Sequence, residues 1–179
     1  MTGEPFRLAT QRLVLRRWSA ADREPFAALC ADPEVMRHFP AVLSRAEADA
    51  LADRADGCFD TLRSNGSPYG LAAVERRADG DFLGFVGLHR MRWYPDDVEI
   101  GWRLARSAWG RGYATEAATA WVTHARDVLH LPRLISITTP GNTASLAVMR
   151  RLGMRFGWEA SGEVDHVVHV LDLAPGGTA

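Results

Sequence analysis

A strand-like run from Val98 to Ala105 feeds through Trp109-Gly110-Arg111-Gly112-Tyr113-Ala114 into a helix-like run from Tyr113 to Leu129. Gly110 and Gly112 lack Cβ, so the backbone there can take positive φ and approach a ligand closely. The first turn of the following helix aims unpaired N–H groups at the same point. An anion suits such a cradle, and a phosphate above all. The helix carries Ala114, Ala117, Ala118, Trp121, Val122, Ala125, Val128 and Leu129 on one face, which must pack on a sheet. Strand, anion loop and helix are therefore contiguous, and the chain reads as a mixed α/β protein.

At 179 residues the chain suits one domain, with a core about 8–173 and a Pro/Gly-rich tail over 174–179 expected to be disordered. A formal net charge of -1 leaves no global attraction to nucleic acid or to an anionic membrane. The sequence contains no Lys, which excludes a lysine nucleophile or Schiff base. It also excludes a P-loop, since no Gly-Lys-Ser/Thr follows the glycines. Cys30 and Cys58 have no metal-ligand spacing and read as two small buried hydrophobes in a reduced protein. With no leader-like N-terminus and no apolar run of spanning length, the expected location is the cytoplasm.

Leu13-Val14-Leu15 reads as a strand, and Ser19 with Asp22 as a helix cap opening a helix to about Cys30. Asp32-Pro33 restarts a short helix through His38. Ser44-Arg45-Ala46-Glu47 is a capping box opening a longer one toward Leu62, broken at Ser64 to Pro68. Tyr69 to Arg76 and Phe82 to Trp93 read as strands joined by the turn Ala78 to Asp81, and Tyr94-Pro95-Asp96-Asp97 as the turn before Val98. Beyond the long helix, Pro132 leads to the β-branched strand Leu134 to Thr138. Asn142 caps a shorter helix that stops at Gly153, and Val164 to Leu173 is a last strand.

Two segments carry a resemblance. The first is Val98-Glu99-Ile100-Gly101-Trp102-Arg103-Leu104 leading into Trp109-Gly110-Arg111-Gly112-Tyr113-Ala114-Thr115-Glu116-Ala117; the second is Asn142-Thr143-Ala144-Ser145 through Arg150-Arg151-Leu152-Gly153-Met154. In this order, with these elements between them, they resemble the GNAT superfamily of acetyl-CoA-dependent N-acyltransferases. With the opening Thr10 to Arg16 they look like its RimJ/RimL branch. The resemblance implies a GNAT fold: a central, mixed, mostly antiparallel twisted sheet of about six to seven strands flanked by helices and splayed at the cofactor strands. It implies acetyl-CoA as cosubstrate and an amine as acceptor, either a protein N-terminus or a small molecule. It also allows a homodimer, for which the residues themselves carry no signal.

By the same resemblance, loop N–H groups from about Gly110 to Ala114, with Trp109, Arg111 and Tyr113, would hold the pyrophosphate. Pantetheine would bond like an added strand to the backbone near Trp102 and Leu104, with Asn142 and Ser145 turned toward it. The family's usual Gln/Arg before the first glycine is replaced by Trp109, and its proton-donating Tyr on the second helix by Met149, which cannot donate a proton. Ser145 is then the natural partner for the departing thiolate. Glu99 is the leading general base and His89 the second. Either is also a common structural residue. Oxyanion stabilisation would fall to backbone N–H groups around Gly101 to Arg103, with Gly101 permitting a bulge. Trp93, Tyr94, Trp102 and Trp109 are further candidates for the acceptor cleft, whose other contacts would come from the helices between Ser19 and Leu62 and the loop after Trp93. Arg111 is preferred to Arg106 as a phosphate partner. His166 and His169, three apart on a strand, face opposite ways, and no metal is expected. The absent Tyr leaves a second function open, a non-catalytic acyl-CoA sensor. A dinucleotide-binding oxidoreductase is disfavoured by the lack of a full Gly-x-Gly-x-x-Gly.

Overall fold

The computed structural model describes residues 6–65, 69–91, 93–161 and 165–173, with the backbone alone described at 60–65. Its strands are β1 (Arg7–Ala9), β2 (Leu13–Arg16), β3 (Leu71–Arg76), β4 (Phe82–Met91), β5 (Tyr94–Leu104), β6 (Arg133–Thr138), β7 (Arg155–Ala160) and β8 (His166–Asp172). The helices are α1 (Arg23–Ala31), α2 (Pro33–Met36), α3 (Arg45–Asn65), α4 (Tyr113–Asp127) and α5 (Thr143–Arg151). All eight strands form one sheet in the order β1-β2-β3-β4-β5-β6-β8-β7. Every neighbouring pair is antiparallel except β5 and β6, which are parallel because α4 carries the chain over the sheet between them. No helix among the described residues is long and apolar enough to cross a membrane.

The two sheet faces bury different partners. On one face Leu13, Leu15, Val74, Val86, Leu88, Val98 and Ile100 pack against Ala117, Ala118, Trp121 and Ala125 of α4 and Met149 of α5. Trp121 is fully buried, and its indole N–H donates to the Val86 carbonyl at 2.9 Å, so its one polar atom is satisfied. On the other face Ala73 and Phe85 meet Trp18, Phe26, Leu29 and Cys30 of the α1 region and the alanines Ala48, Ala52 and Ala55 of α3. Alanines at these spacings let α3 lie close.

Both expected capping boxes form. The Glu47 carboxylate accepts from the Ser44 N–H at 2.7 Å, and Asp22 from the Ser19 N–H at 2.7 Å. Asp22 does more. It is 2 % exposed and takes a two-pronged ion pair from Arg16 at 2.8 and 2.9 Å, while the Arg16 Nε reaches Glu75 at 2.7 Å. Burial alone would raise its pKa, but the Arg16 guanidinium and Ser19 outweigh burial and hold it below the ordinary carboxylate value. Asp22→Ala is expected to cost about 3 kcal/mol, because it strips the half-buried Arg16 cation of its two-pronged partner. A depressed carboxylate stabilises the fold above its unfolded pKa and loses that contribution as pH falls through its folded pKa. Urea midpoints should therefore differ widely between parent and variant at neutral pH and converge in acid.

Several boundaries depart from the sequence reading. Tyr94 to Asp97 is not a turn but the start of β5, and the reversal lies between Met91 and Tyr94, which pair directly. Pro95 is tolerated so close to the strand's end, and Asp97 is drawn inward by Arg133 of β6 at 2.6 Å. β1 and β7 bring the strands to eight rather than six or seven. β7 escapes notice because Gly157 sits at a register shift that breaks its alternation. α3 runs through Ser64 and Asn65, expected to break it, and α4 stops at Asp127, two residues short. Cys58 is half-buried rather than buried. The expected disordered tail at 174–179 and the strand start at Val164 lie outside the described residues.

Candidate active site

β5 ends at Leu104, a single 3-10 turn over Arg106–Ala108 follows, and Trp109 opens the loop with its indole N–H donated to the Leu104 carbonyl at 2.9 Å. Gly110 has φ 71° and Gly112 φ 78°, both in the region that L side chains avoid. Gly112 is the N-cap of α4, and no side chain caps this end. The helix's first bond to the cap runs from the Glu116 N–H to the Gly112 carbonyl, so the N–H groups of Tyr113, Ala114 and Thr115 are left to a ligand or water.

A carboxylate in the first turn would oppose an anion there, and Glu116 is such a residue. It is held and neutralised from the other end of the chain. Thr10 Oγ1 donates to Oε1 at 2.6 Å, the Arg12 N–H to the same oxygen at 2.9 Å, and the Arg12 guanidinium to Oε2 at 2.7 Å. Burial pushes the Glu116 pKa up, but these bonds outweigh it and keep it lowered. Arg12 also donates to the Arg111 carbonyl at 3.0 Å and lies over the Tyr113 ring. Sequence reasoning missed this brace. Its partners stand about a hundred residues apart, and only the acidic first turn hinted that a cation was needed.

β5 and β6 share one pair, Glu99 with Ile135, and then part. The Ala105 N–H bonds the Leu83 carbonyl at 2.8 Å, and β4 and β5 keep unbroken register back to Val98. Antiparallel alternation then turns the backbone groups of Gly101 and Arg103 toward β4 and those of Trp102 and Leu104 toward the gap. Gly101 therefore makes no bulge, contrary to expectation. The strand is regular there, and the backbone donor facing the gap is Trp102, not Gly101 or Arg103. Along the gap lies a cavity of about 880 Å³. All ten residues expected to touch the cofactor line it, from Trp102 and Leu104 through the glycine loop to Asn142 and Ser145.

α5 supplies the opposite wall. Asn142 caps it by accepting the Ser145 N–H at 3.1 Å, and the Ser145 hydroxyl accepts the Trp102 indole N–H at 3.3 Å. That leaves the Ser145 proton free to be donated elsewhere. Met149 is fully buried in the core and does not reach the cavity. From the other side α2 and the residues after it contribute Glu34, Arg37, His38 and Phe39, within the region expected to meet the acceptor. Of the four aromatics, Trp102 and Trp109 line the cavity. Trp93 instead stacks on His166, and Tyr94 packs on Trp158.

The two candidate bases prove to be one unit. His89 and Glu99 face each other in register, with Nε2 3.0 Å from Oε2. The other carboxylate oxygen accepts the Ile137 N–H at 3.3 Å, a donor left over where β5 and β6 part. Glu99 is 7 % exposed, whereas the His89 side chain is 30 % exposed. Neither lines the main cavity. Both stand on the sheet face that carries Arg103, which does line it.

The family model described as an acetyltransferase (GNAT) domain matches residues 12–155. The chain belongs to the GNAT acetyltransferase family. It is accordingly an acyltransferase. It is 27% identical to the uncharacterised N-acetyltransferase YoaA of Bacillus subtilis, over 83% of this chain and 82% of that one. An acetyltransferase from Agrobacterium tumefaciens superposes with a TM-score of 0.81 at 25% identity, covering 96% of each chain. RimL, a ribosomal L7/L12 α-N-protein acetyltransferase solved with coenzyme A, has the same fold, with a TM-score of 0.76 at 15% identity over 94% of this chain and 98% of that one.

Within the GNAT framework the remaining arginines separate clearly. Arg111 lines the cavity and spends its Nε on the Ser107 carbonyl, whereas Arg106 pairs with Asp32 at 3.4 Å and faces a smaller neighbouring depression.

Proposed function

We propose that the protein transfers the acetyl group of acetyl-CoA to a primary amine by direct attack in a ternary complex, the acceptor being a protein N-terminal amine, as in the RimJ/RimL branch, or a small amine. The observation that carries this reading is one cavity joining the uncapped end of α4 to the open edge of β5. The residues fit acetyl-CoA. Positive-φ glycines and free helix N–H groups suit its pyrophosphate, and the outward Trp102 C=O and Leu104 N–H suit its pantetheine amides. When bound, it supplies an activated thioester carbonyl.

The chain's own residues then have three tasks. Ionised Glu99 accepts Nε2–H from His89, which leaves the Nδ1 lone pair of His89 to take the proton of the amine. The Trp102 N–H, turned into the gap, is the backbone donor available to a developing oxyanion. Ser145, already accepting from Trp102, donates a hydrogen bond through its hydroxyl to the leaving thiolate, which departs as the anion and takes its proton from water while His89 gives the amine's proton up to water; the hydroxyl so supplies the polar contact that Met149 cannot.

Thiol release should be followed with acetyl-CoA against a panel of small amines and N-terminal peptides. Release that depends on an acceptor is the expected result. Tight acetyl-CoA binding with no release for any amine would replace the enzyme by an acyl-CoA sensor.

A further inference from the structure

Arg103 is a cation at the wall of the cavity, without a counter-ion among the described residues. Its guanidinium carbon lies 3.9 Å from the Phe39 ring centroid and 5.5 Å from that of Phe85, and its Nε is buried with no hydrogen-bond partner. Among the described residues its polar contact is an Nη1 donation to Cys30 Sγ at 3.7 Å. Cys30 does not balance the charge, because burial pushes its thiol up and keeps it neutral. The nearby carboxylates are already taken: Glu34 pairs with Arg37, and Asp32 with Arg106. Among the described residues none forms an ion pair with Arg103. A guanidinium stays charged even when desolvated, so leaving it half-buried and unpaired is costly unless a ligand completes it.

We infer that Arg103 anchors a carboxylate carried by the acceptor. The inference rests on the acetyl-transfer reading and adds the substrate class. Arg103 shares its sheet face with His89 and Glu99, whereas Trp102, its neighbour in the chain, points to the opposite face and to α5. The guanidinium is thus on the side from which the amine attacks. Glu99 and Arg103 are four residues apart on a regular strand, about 13 Å between Cα atoms. An acceptor bridging them carries its carboxylate several bonds from its amine. A long ω-amino acid does this, and so does a peptide N-terminus followed by an acidic residue. The two phenyl rings cover the guanidinium faces and Nε is buried, which leaves the Nη end of the fork for a carboxylate.

Four probes separate these sources: 6-aminohexanoate against its amide, and Ala-Glu-Ala-amide against Ala-Gln-Ala-amide. The expected result is a kcat/KM at least about tenfold higher for the acid of one pair, the pair itself naming small molecule or peptide. Arg103→Gln should abolish the preference by raising the acceptor KM about 30- to 100-fold, with the KM of acetyl-CoA unchanged, and Arg103→Lys should restore part of it. The parent protein's own discrimination needs no variant to fold. Equal rates with acid and amide, or a variant whose defect lies in the KM of acetyl-CoA, would overturn the assignment. Should none of the four turn over, equilibrium binding of the same probes in the presence of CoA still decides. Acid-selective binding lost in Arg103→Gln keeps the anchor while acetyl transfer falls, and unselective or undetectable binding removes the anchor too.

Discussion

Glu99→Gln is expected to lower kcat by about 10²- to 10⁴-fold while leaving the fold and the KM of acetyl-CoA nearly unchanged. The amide can keep the structural role, since its carbonyl still accepts the Ile137 N–H at the point where β5 and β6 separate. It cannot keep the electrostatic one. Its NH₂ would donate to His89 Nε2, forcing the ring proton onto Nδ1 and removing the lone pair that takes the amine's proton. The replacement thus separates a plug in the sheet from a base in a reaction. His89→Ala should cost a similar factor, and the double variant little more, because the two act as a unit. Rates measured across pH would check this. A Gln variant with the parent's rate and pH profile would leave Glu99 with the structural role alone.

Gly112→Val should raise the dissociation constant of acetyl-CoA by about 100-fold or more, the worth of one or two charge-assisted N–H bonds. Its φ of 78° is strained for a β-branched residue, so the loop must rotate, and the N–H groups of the first α4 turn rotate with it. The rest of α4 is secured by Trp121 and its alanine face, so circular dichroism should show a folded protein. Calorimetric titration with CoA gives the affinity directly. Unchanged affinity would remove the loop from the phosphate site.

The helical periods and caps were legible because they are local. Ser44 and Glu47 stand three residues apart, and so do Ser19 and Asp22, and each pair closes its own turn. The face from Ala114 to Ala125 repeats at the helical period and is buried as that period requires. The cavity wall was legible for a related reason: the loop glycines and the Asn142 to Gly153 helix are each continuous in sequence. β1 and β7 were not legible, being edge strands, short or interrupted, whose order comes from the neighbour they pair with. The start of β5 was misread because Pro95-Asp96-Asp97 has turn composition, and only the Asp97 pairing with Arg133 makes extended backbone the better choice.

The sequence by itself determined the family, the two positive-φ glycines of the loop and the identity of the residues that line the main cavity, since spacing and residue type act within one turn of chain. Tertiary structure decided what the charged residues do. It joined His89 to Glu99 across two strands, tied Glu116 to Thr10 and Arg12 across the length of the chain, and set Arg103 between two rings with no carboxylate partner among the described residues. Charge pairing depends on a few ångströms in space, and separation along the chain does not measure that distance.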